Sequence, residues 1–386
     1  MKKIRIGLLP RIIIAIALGI LSGNVLPEWL IRTFVTFNGL FSEFLGFAIP
    51  LIIVGLVSIA IADIGKAAGK MLVATALLAY TATLLSGFAA YGTGALCFPS
   101  MISPGMAIGE MAQANDAQAF FTVSIPPLMN VMTALVLAFT LGLGMAYLKS
   151  NALKSATKDF QEIVIKMISG VILPLLPIYI YGIFANMTSS GQVWAILGVF
   201  IKIIGVIFAL HIAVLLFQYI IAGLIAKRNP FIMLWNMLPA YFTALGTQSS
   251  AATIPVTLEQ TKLNKVTPET AGFVIPLCAT IHLSGSTLKI VACALALMIM
   301  QGIPYDFSLF AGFIFMLGIT MVAAPGVPGG AIMASLGVLQ SILGFNEEQQ
   351  ALMIALYIAM DSFGTACNVT GDGALAVIID RIFKKR

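Results

Sequence analysis

Long apolar runs separated by short polar joints make up nearly the whole chain. Runs of this length are what helices need to cross a bilayer; barrel strands would instead alternate apolar and polar positions. The pattern predicts full spans near 9–27, 38–64, 70–97, 124–148, 161–187 and 192–225. Lysine and arginine gather in alternate joints: Lys66 and Lys70, then Lys149, Lys154 and Lys158, then Lys227 and Arg228. The other joints hold little positive charge, and Glu110 and Asp116 occupy one of them. With Lys2, Lys3 and Arg5 at the front and Arg381, Lys384, Lys385 and Arg386 at the back, the positive-inside rule puts both termini in the cytoplasm. No small-residue cleavage site closes the first apolar run, so it reads as a retained helix and not a signal peptide.

After residue 230 the pattern changes. The apolar stretch 232–258 is interrupted by Ala244-Leu245-Gly246-Thr247-Gln248-Ser249-Ser250-Ala251-Ala252-Thr253, and its basic flanks both belong to the cytoplasmic side. A segment that enters and leaves on one side is a re-entrant hairpin. The stretch 307–343 is interrupted in the same way by Ala323-Ala324-Pro325-Gly326-Val327-Pro328-Gly329-Gly330, with acidic flanks that place it outside. One span (267–300) separates the hairpins and another (349–381) follows them. Hairpin and helix, then hairpin and helix from the opposite side, form an inverted repeat, and paired interruptions point to a binding site. The expected fold is an all-α integral membrane protein with eight transmembrane helices and two re-entrant helical hairpins.

The last span carries the densest chemistry. Asp361, Thr365, Asn368 and Asp372, at steps of four, three and four, share one narrow helical face. Carboxylates inside an apolar span are costly, and they normally face a water-filled or protein interior along a solute or ion path. A buried polar network that only joins helices is the competing reading. In the span between the hairpins, Thr280-Ile281-His282-Leu283-Ser284-Gly285-Ser286-Thr287 reads as a locally unwound helix whose carbonyls could coordinate a cation, or as a plain kink. Lys289 follows, ahead of about eleven apolar residues, on the order of 16 Å of helix and too far for snorkelling. It needs a carboxylate partner, Asp361 or Asp372, or must sit neutral.

Composition agrees with the pattern. Of 386 residues, 60% are hydrophobic and 9% charged, against roughly 25% charged in a soluble domain. The net charge of +6 lies in joints and tails, where it orients helices and gives no case for nucleic acid. Cys97, Cys278, Cys293 and Cys367 lack metal-type spacing and read as small packing residues.

Residues 230–381 resemble the dicarboxylate/amino acid:cation symporter family, which includes glutamate transporter homologues. The resemblance rests on Ser249-Ser250-Ala251-Ala252-Thr253-Ile254-Pro255-Val256-Thr257, Gly326-Val327-Pro328-Gly329 and Asn368-Val369-Thr370-Gly371-Asp372, and more loosely on Ile49-Pro50-Leu51-Ile52. It implies a homotrimer in a cell membrane (the inner one in a bacterium). Residues 1–229 would be mainly scaffold, and 230–386, joined by the third span, would be a transport core that moves like an elevator. It implies that Asp361 holds a solute's α-amino group, and that Ser249, Ser250, Ser286, Val327, Gly329, Gly364, Thr365 and Asn368 line the solute site. Thr280, Asn368 and Asp372 would be sodium ligands; no other cofactor is implied.

Departures from the family pattern narrow the solute. Gly364 stands where carriers of acidic solutes place an arginine, and Gln248 where some prokaryotic relatives hold one. Without that planar fork a second carboxylate loses its bidentate partner, so a small neutral amino acid fits better than a dicarboxylate or acidic amino acid. The usual Asn-Met-Asp-Gly-Thr appears as His282-Leu283-Ser284-Gly285-Ser286, which removes sodium ligands and adds a titratable imidazole. Lys289 is then a candidate built-in surrogate for a lost sodium ion, and His282 a candidate for proton coupling or a neutral histidine bonded inside the bundle. Tyr80 and Thr83 match positions near a third sodium site, but Leu84 replaces the neighbouring serine. His211 receives no role, and Glu43 and Lys202 either pair or line the scaffold.

The expected function is a secondary symporter for a small neutral amino acid driven by sodium or protons; the alternatives are a dicarboxylate or acidic amino acid:cation symporter, or an uncoupled exchanger. A channel would need charged rings or filter carbonyls. A primary pump would need a nucleotide-binding motif. An intramembrane enzyme would need Ser250 or Ser284 in hydrogen-bond geometry with His282.

Overall fold

The computed structural model describes residues 8–66, 70–102, 117–191, 193–322, 324 and 329–383. Among these the regular structure is entirely helical. Val327, Glu110, Asp116 and the charged residues at both ends, Arg381 apart, lie outside them.

The first half is α1 (Leu8–Ser22), α2 (Glu28–Lys66), α3 (Lys70–Met101), α4 (Val131–Tyr147), α5 (Ala152–Met167), α6 (Leu173–Ser189) and α7 (Val193–Ala226). A π turn, Ile168–Ile172, joins α5 to α6, just ahead of Pro174 and Pro177, whose missing amides weaken the helical ladder there. The span expected from residue 124 starts only at Val131. Pro126 and Pro127 cannot donate to a helix, and the Asn130 side chain then caps α4 by accepting from Thr133 N at 2.8 Å. Helices α4, α5 and α6 pack on α2, and α1 packs on α6.

The second half opens with α8 (Pro230–Asn236), α9 (Leu238–Thr247) and α10 (Ser250–Leu263). The chain reverses at Gln248, left-handed at φ 54°, and Ser249 caps α10 by accepting from Ala252 N. Next come α11 (Pro268–Ile281) and α12 (Ser284–Met300), every residue of α12 buried. Helices α13 (Phe307–Val322) and α14 (Gly330–Leu343) form a second antiparallel pair, and α14 is entered through Gly329 at φ +74°, a conformation that favours glycine. The chain ends in α15 (Glu347–Ala359) and α16 (Asp361–Phe383), bent by 62° at Met360.

Five described helical stretches are long and apolar enough to cross a membrane, six when α15 and α16 count as one bent span. Helices α1 and α4 are shorter apolar helices. The span between the hairpins breaks at His282 and Leu283, inside the stretch expected to unwind, and Gly285 sits inside the first turn of α12. One local expectation needs correction. The last span, expected to run unbroken over 349–381, is interrupted immediately before Asp361. Helix α16 lies at the centre, against α7, α9, α10, α11, α12 and α3.

Candidate solute and cation site

Helix α16 presents Asp361, Thr365, Asn368 and Asp372 on one buried face, as their spacing requires. Facing it across a close crossing are the end of α11 and the start of α12, with His282, Ser286 and Lys289 three to four residues apart. The two stripes run antiparallel and pair rung by rung. Lys289 Nζ donates to Asp361 Oδ1 at 3.0 Å. The Asn368 amide donates to Ser286 Oγ at 3.1 Å, while its oxygen accepts from Gly285 N at 2.8 Å. His282 Nδ1 lies 2.8 Å from Asp372 Oδ1.

Glycine makes the crossing possible. A Cβ on Gly285 would lie 2.6 Å from the Gly364 carbonyl and 2.7 Å from Cys367 Cβ. At Gly364, a Cβ would lie 2.8 Å from both Cε and Nζ of Lys289. The missing side chain at 364 is therefore also the space that Lys289 fills. Of the two partners open to Lys289, it takes Asp361, and both groups are buried. Its ammonium further meets the carbonyls of Tyr357 and Met360, each at 3.4 Å, and lies 3.4 Å from the centre of the Tyr357 ring.

Both hairpins reach α16, through Gln248 and through Gly329. Gln248 Nε2 donates to Ser362 Oγ at 2.9 Å. Gly329 N donates to Asp361 Oδ2 at 2.8 Å. Ser250 is buried in the first turn of α10, next to the capping Ser249.

Thr280 is not brought to this cluster. It is exposed, and its hydroxyl turns back to the Leu277 carbonyl of its own helix at 2.7 Å. Tyr80 donates to the Phe315 carbonyl of α13 at 3.2 Å, while Thr83 is buried with its hydroxyl unpartnered. Glu43 and Lys202 find separate partners: Glu43 accepts from Ile125 N at 2.6 Å, and Lys202 donates to the Met101 carbonyl at 3.3 Å.

Three residues join the site that the sequence reading left out. His211, given no role, donates from Nε2 to the Gly285 carbonyl at 3.1 Å. Gln218, seven residues on and so on the same face of α7, reaches Ser284 Oγ at 3.3 Å and His282 Nε2 at 3.5 Å. The His282 nitrogens therefore face an amide and a carboxylate, an arrangement that orients the ring without a serine nucleophile. Tyr357, one turn before Asp361, donates to Ser286 Oγ at 3.0 Å and lays its ring under Lys289.

Two cavities lie in the described structure, one of which meets the site at Gln218. An apolar one of about 410 Å³ lies between α3, α7 and α16, with Gln218 in its wall. A more polar one of about 530 Å³ lies between α2 and the start of α15, lined by Glu43, Asn130, Gln340 and Glu347.

Residues 8–382 match the sodium:dicarboxylate symporter family. A serine/threonine transporter of Acinetobacter baumannii is 28% identical over 97% of this chain and 97% of its own length. Excitatory amino acid transporter 1 of Ambystoma tigrinum is 30% identical over 67% of this chain and 49% of its own.

Proposed function

Because the chain belongs to the sodium:dicarboxylate symporter family, we propose that it is a sodium-coupled symporter for small neutral amino acids such as serine and threonine. The observation that carries the solute assignment is the space at Gly364. No side chain there offers the planar fork of donors that a second carboxylate takes, and the volume that an acidic side chain would need is already filled by Lys289. A hydroxyl-bearing side chain asks only for hydrogen bonds, of the kind Thr365, Ser286 and the hairpin tips offer. The full overlap with a curated serine/threonine transporter supports the same reading.

In this reading Asp361 receives the α-ammonium, while Asn368 and Asp372 supply oxygens for the co-transported sodium. The arrangement comprises eight transmembrane helices and two re-entrant hairpins in a homotrimer with both termini cytoplasmic. The solute core moves as an elevator against the scaffold. Coupling follows when hairpin closure has a differential affinity for the loaded site.

The test is thermal stabilisation of the purified protein by serine, threonine, alanine, aspartate and succinate, in sodium or choline. A ligand that binds only the folded protein raises its melting temperature by mass action. Serine or threonine should stabilise, and more strongly in sodium. Stabilisation by aspartate or succinate alone would overturn the solute assignment, and equal shifts in choline would overturn the sodium coupling.

A further inference from the structure

Both oxygens of Asp361 are bonded by the protein itself. Lys289 holds Oδ1 at 3.0 Å, and the amide of Gly329 holds Oδ2 at 2.8 Å. Gly329 is the residue that opens α14, the second arm of the outer hairpin. One carboxylate therefore ties the core helix α12 to the start of α14. The bend between α15 and α16 completes the lysine's surroundings, since it brings the Tyr357 and Met360 carbonyls and the Tyr357 ring onto the ammonium. A carboxylate, two carbonyls and an aromatic face are the partners that an alkylammonium ion takes from a solute-binding site. Here the protein supplies that ion on a tether, and Gly364 leaves the room for it.

We propose that Lys289 is a tethered competitor for the transported amine. It takes Asp361 whenever the solute does not, and through Asp361 it keeps the start of α14 on the core so that the carrier can return without cargo. This rests on the reading of Asp361 as the ammonium-binding residue. The two ammonium groups compete for one carboxylate. Lys289 holds Oδ1 and the Gly329 amide holds Oδ2, so a solute ammonium reaches Asp361 by displacing Lys289, and the solute's own α-carboxylate keeps the loaded site neutral overall. With neither present, Asp361 would be a buried carboxylate held by the Gly329 amide alone, which favours opening to water. Lysine at 289 removes that third state from the cycle.

The consequence separates two transport modes that share the same site. Exchange needs only the loaded carrier to cross, whereas net uptake also needs the unloaded one. In proteoliposomes, Lys289→Met should slow net uptake far more than it slows exchange of external labelled serine against internal serine. Net uptake into serine-free vesicles should slow by about a hundredfold or more, the equivalent of breaking a buried ion pair. The half-saturating serine concentration should also fall, since the competitor is gone. Loss of exchange and net uptake together, or no change in either, overturns the proposal. A wild-type protein that neither takes up nor exchanges any of the amino acids tested would instead overturn the proposed function. Hydrogen exchange on wild-type protein keeps the idea testable if Lys289→Met does not fold. The amides of Gly329–Met333 should stay protected without serine, and their full exposure until serine is added would sink the tethered-competitor reading.

Discussion

Gly285→Ala is the sharpest probe of the crossing on which the site depends. The new methyl carbon would lie 2.6 Å from the Gly364 carbonyl and 2.7 Å from Cys367 Cβ, and both neighbours belong to or sit on the α16 backbone. An ordinary contact needs roughly 3.4 Å, so the helices must separate by about 0.8 Å in an interior that is already close-packed. That shift would stretch the 2.8 Å bond from Gly285 N to Asn368 Oδ1 to about 3.6 Å, beyond hydrogen-bond range. Overpacking costs about 1–3 kcal/mol and an orphaned buried amide about 1–3 more. Alanine's better helix propensity returns only about 0.5–1 kcal/mol. The net expectation is destabilisation of about 1–5.5 kcal/mol together with loss of serine-dependent stabilisation. Gly272→Ala in α11 is the control, because a Cβ there meets nothing within 4 Å. It should be neutral or stabilising by up to about 1 kcal/mol. Thermal unfolding of both variants in the same detergent checks the pair. A Gly285→Ala protein that melts with wild type, or a Gly272→Ala protein that loses as much, would refute the close-crossing argument.

Two further substitutions test other rungs of the ladder. Asp361→Asn leaves Lys289 buried without its counter-charge and should cost about 3–5 kcal/mol, read as a lowered melting temperature; an unchanged midpoint would mean that the pair carries no weight. Gly371→Ala would place a Cβ 2.5 Å from Gln218 Oε1 and 2.7 Å from His282 Cε1, for a loss of about 1–3 kcal/mol. Adding Gln218→Ala should recover part of that loss, and strictly additive effects in the double-mutant cycle would count against the Gln218–His282–Asp372 contact.

How far the sequence carried the reading differs from one residue to the next. The stripe Asp361, Thr365, Asn368 and Asp372 was legible because helical periodicity alone fixes it. Lys289 was legible as a buried charge because the helix beyond it is too long to let it reach water. Its choice between two carboxylates was not, since that depends on the register at which α12 crosses α16. Antiparallel crossing at Gly285 matches descending positions on one helix to ascending positions on the other, so Lys289 meets Asp361 and His282 meets Asp372. No local signal carries that register; it is set by the contact between two backbones far apart in the chain. The bend at Met360 escaped notice for a related reason. Neither glycine nor proline marks it, and the carbonyls of Tyr357 and Met360 there turn to the Lys289 ammonium from another helix. Gln218 and Tyr357 could have been found, the first at a seven-residue spacing from His211 and the second one turn before Asp361. Thr280 shows the converse. Motif position nominated it, but it lies in the last turn of α11 and its hydroxyl bonds to the Leu277 carbonyl of its own helix. Periodicity thus names the polar faces of a membrane bundle, and the small residues where helices cross decide which faces meet.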